Sequence, residues 1–147
     1  MNSAQFSVVS AILEQLRIGP ALADGRIYRS RTRAIGVDQV SAIVVRVERS
    51  ASTLAQIIGG PTTWATLVNV ECYARATGSE PDAVADALLV DVFDRLALAP
   101  TLGATAMSFE PLPGDTLSWE VDELDSKIAC ITAKFLVMHQ TKGRTLT

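Results

Sequence analysis

Val40-Ser41-Ala42-Ile43-Val44-Val45-Arg46-Val47-Glu48-Arg49 and Thr63-Trp64-Ala65-Thr66-Leu67-Val68-Asn69-Val70-Glu71-Cys72-Tyr73-Ala74-Arg75 decide how this chain folds. Both alternate with the two-residue period of a strand. In the first, Ile43, Val45 and Val47 face one way and Val44, Arg46 and Glu48 the other. In the second, Trp64, Thr66, Val68, Val70, Cys72 and Ala74 make the better-buried face, and Leu67, Asn69, Glu71, Tyr73 and Arg75 a mixed one. Antiparallel pairing through the segment between them is the expected topology. That segment, Arg49–Pro61, is expected to be a flexible apolar loop. Hairpin loops usually run about two to five residues and are solvated. This one carries Leu54, Ile57 and Ile58, large side chains that need a surface to bury them.

Working outward, Phe6, Val9, Leu13 and Leu16 recur at helical spacing with Ile12 beside them. Ser3 stands at the N-cap and Gly19-Pro20 at the end. Arg26–Arg29 reads as a short strand, and Arg29, Arg31 and Arg33 would share one face if it continued. A second helix follows Thr77–Asp82, with Ser79 as cap and Pro81 in the first turn. Its inner stripe is Val84, Leu88, Val92 and Leu96, widened by Ala85, Leu89 and Phe93, and Ala99-Pro100 stops it. Strands are expected at Ala104–Glu110, at Thr116–Val121 with Leu117, Trp119 and Val121 on one face, and at Lys127–His139. The last is apolar on both faces, hence central or covered twice. Residues 141–147 are polar and expected to be loose. Helix, strands, helix, strands describes an α+β fold: a mainly antiparallel sheet flanked by two amphipathic helices, in one domain spanning 1–147.

Composition points to association. Of the 147 residues 48% are hydrophobic and only 20% charged, with a net charge of −3. The charge is unevenly spread. Arg26, Arg29, Arg31, Arg33, Arg46 and Arg49 stand against Asp38 and Glu48, whereas the stretch from Glu80 to Asp125 holds eleven carboxylates and Arg95 alone. Solvated faces can produce such a split. So can subunits that join a basic patch to a neighbour's acidic one, a heterologous contact that makes rings when it closes. No apolar run is long enough to span a bilayer, and the start of the chain does not read as a signal peptide.

The search for chemistry finds little. Gly59-Gly60-Pro61 is neither a dinucleotide fingerprint nor a phosphate loop. One histidine, His139, and two separated cysteines, Cys72 and Cys130, do not give metal-ligand spacing, and the cysteines read as buried free thiols. His139 reads as a surface or strand-end residue without a nucleophile beside it. Asp122, Glu123 and Asp125 lack the frame of a calcium loop. The arginines lack the aromatic platform or recognition helix of a nucleic-acid reader, so no specific nucleic acid is expected. Neither catalysis nor a cofactor is expected.

Val70-Glu71-Cys72-Tyr73-Ala74-Arg75, Pro81-Asp82-Ala83-Val84-Ala85-Asp86-Ala87-Leu88 and Pro100-Thr101-Leu102-Gly103, with the Trp119-Glu120 strand, the Asp122–Asp125 turn and the closing Met138-His139-Gln140-Thr141, resemble tail terminator and minor tail proteins of long-tailed bacteriophages. The resemblance covers roughly 63–141. It implies an α+β subunit, often monomeric when free, that forms a ring, typically a hexamer. Such a ring caps the tail tube, ends its polymerisation and offers a surface to the head. The implied partners are the tail tube protein, head–tail connector proteins and further copies of the chain. The implied place is the virion tail, and the host cytoplasm during assembly. The family has no shared active-site residues to carry over. The interface is therefore assigned on physical grounds to Arg26, Arg29, Arg31, Arg33, Leu54, Ile57, Ile58, Asp86, Asp91, Asp94 and Asp122. The alternatives are a head-completion or connector protein and, in another class, a small α+β enzyme or ligand-binding domain.

Overall fold

The computed structural model describes residues 1–30, 39–53, 57–75, 80–121 and 128–147. Among the described residues, two α-helices, α1 (Ala4–Arg17) and α2 (Pro81–Ala97), accompany six strands: β1 (Ile27–Arg29), β2 (Ser41–Ser52), β3 (Thr62–Arg75), β4 (Ser108–Pro111), β5 (Leu117–Val121) and β6 (Ile128–Thr141). The sheet order is β1-β2-β3-β6-β4, with β5 also on β6. Only β1 and β2 run parallel; the other pairs are antiparallel. This is the α+β architecture expected from the order of elements.

Both helices lie on one face of the sheet. α1 packs on β1, β2 and α2, and α2 on β3 and β6. Between them and the sheet lies one core, built from Val8, Ile12 and Leu16 of α1, Leu88, Val92 and Leu96 of α2, and Ile43, Val45, Val68, Val70, Ile131 and Val137 of the strands. The two-residue period of β2, β3 and β6 puts the expected side chains on this face. β6 is indeed internal, flanked by β3 on one side and by β4 and β5 on the other.

The opposite face is ionic in its middle. Arg46 Nη2 donates to Glu71 Oε2 at 2.8 Å, the Tyr73 hydroxyl donates to the same oxygen at 3.1 Å, and Lys134 Nζ lies 3.0 Å from Asp115 and 3.8 Å from Glu48. Arg46 meets Glu71 across neighbouring strands, where side chains stand close enough to pair, while Lys134 of β6 reaches Asp115 in the β4–β5 connection and, past β3, Glu48 of β2.

Local chemistry sets the helix ends. Ser3 Oγ accepts the Phe6 N–H at 3.2 Å, as its position before the apolar stripe predicts. At the other end of α1, Arg95 Nη1 donates to Leu16 O at 2.9 Å while Gln15 Nε2 donates to Arg95 O at 2.9 Å. A cation thus meets the free carbonyls of a helix C-terminus and ties the two helices together. α2 starts at Pro81 with Glu80 in the cap position and no side-chain cap bond. The Ser79 cap expected from sequence lies outside the described residues.

Several expectations need correction. Phe6 is not a core residue: it is 41% exposed, and Val8 and Ile12 complete the buried stripe. Its ring instead carries the Arg29 guanidinium 3.7 Å from its centre. The loop at Arg49–Pro61 is shorter than expected. Strand pairing continues through Arg49↔Leu67 to Ser52↔Trp64, past a register shift between Val47 and Arg49. Residues 104–107 are not strand, because Leu102, Gly103 and Ala104 take left-handed backbone (φ 50°, 65° and 70°) and close a turn. Trp119 shares the helix-side face through its pairing with Ile131, yet it is 62% exposed. β5 lies at the sheet edge, beyond the strands on which α2 packs. Residues 141–147 are tied rather than loose: Ala4 N–H donates to Leu146 O at 2.7 Å, and the Thr62 hydroxyl donates to Gly143 O.

Candidate assembly interface

The β2–β3 hairpin ends in a built turn. Gly59 has φ +80°, and a Cβ on Gly60 would come within 3.1 Å of Ile57 O. The left-handed backbone at the first position favours glycine, and a side chain at the second would press on Ile57 O. The Gly60 N–H donates to Ile57 O at 3.0 Å and closes the turn. Ile57 and Ile58 are thereby presented to solvent, at 72% and 102% exposure. Both border an open groove with Thr62 and Arg144, so the C-terminal segment contributes a cation beside the two isoleucines. Leu54, the third apolar residue of the loop, lies outside the described residues.

The acidic half of the assignment sits on one surface. Asp86, Asp91 and Asp94 are all exposed on α2, and Val90, also exposed, stands between them. The spacing of 86, 90 and 94 puts these three on one face, with 91 beside it. The described basic half is already engaged within the subunit. Arg26 Nε donates to Ser41 O at 2.7 Å, and its Nη2 lies 3.2 Å from Asp24. Arg29 Nη2 donates to Ser10 Oγ at 2.6 Å, and burial, then the nearby Arg17 charge, lowers its pKa. Both arginines brace β1 against its neighbours. Arg31, Arg33 and Asp122 lie outside the described residues.

Two features were not anticipated from the sequence. One is an apolar cavity of about 130 Å³ between the end of α2 and β4, walled by Phe93, Leu96, Ala97, Phe109, Pro111 and Phe135. Its three rings pack on one another, with centroids 5.2 Å apart for Phe93–Phe135 and 4.9 Å for Phe109–Phe135. The three phenylalanines come from three elements, so only pairing of β4 with β6 under α2 assembles them. The other is a buried polar chain at the hairpin base. Gln5 Nε2 donates to Ser50 Oγ at 3.2 Å, Ser50 and Thr66 hydroxyls lie 2.7 Å apart, and Thr66 Oγ1 meets His139 Nε2 at 2.6 Å. His139 is therefore a core residue at 2% exposure rather than a surface one. Burial lowers its pKa.

The reactive residue types are quiet. Burial, with a smaller push from Cys130, raises the Cys72 thiol to about 12, and burial raises Cys130 to about 11. Both thiols stay protonated at neutral pH and are poor nucleophiles. Among the described residues no group of three His, Cys, Asp or Glu side chains could hold a metal ion. No helix among them is long and apolar enough to cross a membrane.

No protein family matches this sequence, and no curated protein matches it. The fold does match. A chain from the virion of a native gene transfer agent particle superposes with a TM-score of 0.55 at 15% identity, covering 95% of this chain and 96% of that one. At that identity the likeness is one of fold, and it runs from end to end of both chains.

Proposed function

We propose that this chain is a structural subunit of a phage-like particle, of the tail terminator kind. Copies join head to tail into a ring, six being the expected number. The ring seats on the last ring of the tail tube, blocks addition of the next tube subunit and offers its outer surface to head–tail connector proteins. The virion tail is its final place, reached by assembly in the host cytoplasm. The observation that carries this reading is the end-to-end correspondence of the fold with a chain of a gene transfer agent virion. The surface is consistent with it: an apolar turn in solvent and a carboxylate-bearing helix face are features of a chain that completes itself against others. Protonated thiols and a core histidine favour a structural role over catalysis.

The mechanism is geometric. A ring that matches the tube end on one side and lacks the tube's own polymerising surface on the other is a stop. Association also removes Ile57 and Ile58 from water, at about 1.5–3 kcal/mol for each fully buried side chain. The test is to polymerise tail tube protein with and without the purified chain. Shorter tubes carrying a ring at one end in electron micrographs are expected. Unchanged tube lengths with the chain left monomeric by sedimentation refute the proposal. A ring bound at the portal rather than the tube would assign the connector role instead.

A further inference from the structure

We propose that the Ile57–Ile58 turn of one subunit seats in the Phe93–Phe109–Phe135 cavity of the next copy of the same chain, steered by Lys142 and Arg144 against Asp94. The inference rests on the ring reading and names the contact that builds the ring.

Four observations lead to it. First, the tip is preformed over 57–60: the Gly60 N–H bonds Ile57 O, and Gly59 supplies the left-handed backbone, so this part seats already shaped. Second, the cavity is apolar and of the right size. An enclosed apolar cavity of roughly 150 Å³ takes a benzene ring; the 130 Å³ here is a half-open hollow with room for one branched four-carbon side chain. Third, a subunit cannot fill its own cavity. β6 runs six residues from Phe135 at the cavity to Thr141 at the hairpin base, about 20 Å at strand rise, and the turn extends the hairpin beyond Thr62 and Thr141. Two complementary patches that far apart on one surface make a heterologous contact, the kind that propagates into rings.

Fourth, the charges are complementary. Lys142 and Arg144 are exposed, and Arg144 borders the same groove as Ile57 and Ile58. Asp94 is exposed on α2 and follows cavity residue Phe93, about 100° round the helix from it, whereas Asp91 lies on the far side of the helix. The nearest cation on α2, Arg95, is held by Leu16 O and does not neutralise them by a direct bond. A second copy brings cations toward Asp94 and isoleucines to these rings in one movement, which favours self-contact over a partner of unrelated surface.

The experiment uses the full chain carrying Ile58→Cys or Ala97→Cys, mixed under mild oxidation. Cys72 and Cys130 are buried and do not compete. The proposal expects a disulfide between the two variants, little within either alone, and a ladder from the double variant that stops at one ring size. Ile58→Asp, at a fully exposed position, is expected to keep the melting temperature while weakening association roughly 30-fold or more. Rings that form without a 58–97 cross-link, or that tolerate Ile58→Asp, overturn this contact and leave the ring reading standing. A chain that stays monomeric at all concentrations, alone and with tube protein, overturns both. Cross-linking of Ile58→Cys to tube protein instead overturns the copy-to-copy contact.

Discussion

Replacing Thr66 by valine tests the buried polar chain at the base of the hairpin. Valine keeps the branched shape and removes one hydroxyl. That hydroxyl is fully buried and bridges Ser50 Oγ at 2.7 Å and His139 Nε2 at 2.6 Å. Ser50 is half-exposed and keeps its bond from Gln5, so its loss is small. His139 is different. Its Nδ1 already has no partner in the structure, and Thr66→Val leaves Nε2 without one as well. An orphaned buried polar group costs about 1–3 kcal/mol. For a chain near this length, 1 kcal/mol moves the midpoint by about 2–4 °C. The expected loss is therefore roughly 2–12 °C in a thermal melt at pH 8, with an unchanged urea m-value. Thr66→Ser separates the two halves of the side chain, because it keeps the hydroxyl and loses a methyl worth about 0.8 kcal/mol of burial. A Thr66→Val protein as stable as the parent, with Thr66→Ser less stable, would show that the hydroxyl contributes nothing and the hydrogen-bonded reading is wrong.

Three further outcomes follow from the same structure. Stability should fall as pH drops below about 6.5, the ordinary histidine value. Burial depresses His139 in the fold, so the unfolded chain binds the extra proton first. His139→Gln should flatten the melting temperature between pH 7.5 and 5.5, and an unchanged slope would assign the loss to carboxylates. Arg29→Ala should cost about 1–2 kcal/mol by removing the bond to Ser10 and the stacking on Phe6, with faster amide exchange in β1 as its local sign. Unaltered exchange there would remove the bracing role. Ile131→Ala should cost about 2–5 kcal/mol and Ile58→Ala close to nothing in the monomer, since one is fully buried and the other fully exposed. Equal costs in denaturant titrations would contradict the assignment of the hairpin tip as surface.

The acidic surface was legible along the chain because Asp86, Asp91 and Asp94 sit on a helix whose apolar stripe faces the other way. The arginines were legible only as charges. Whether a guanidinium meets a neighbour or its own subunit depends on what the fold puts beside it, and Arg29 finds Ser10 and the Phe6 ring. The same pairing explains why Phe6, apolar and in phase with the stripe, stays outside. The aromatic cavity left no local trace, since Phe93, Phe109 and Phe135 lie on three elements and each reads alone as a core residue. The one trace of the tip's charge was Lys142 and Arg144, two cations in a polar tail.

Local chemistry and period were enough to place the main strands and both helices. Alternation in Ser41–Ser52 and Thr62–Arg75 decides which side chains share a face, because a strand's period of two leaves no other choice. Ser3, the glycines at 59 and 60 and the inner stripe of α2 act within a few residues, so they too could be read in order along the chain. What required the tertiary structure was everything set by which elements become neighbours: the length of the hairpin, the burial of His139 against Thr66, the tie between Arg95 and α1, and the cavity of three rings. Those contacts join residues far apart in sequence, and their energy exists only once the sheet has brought them within reach.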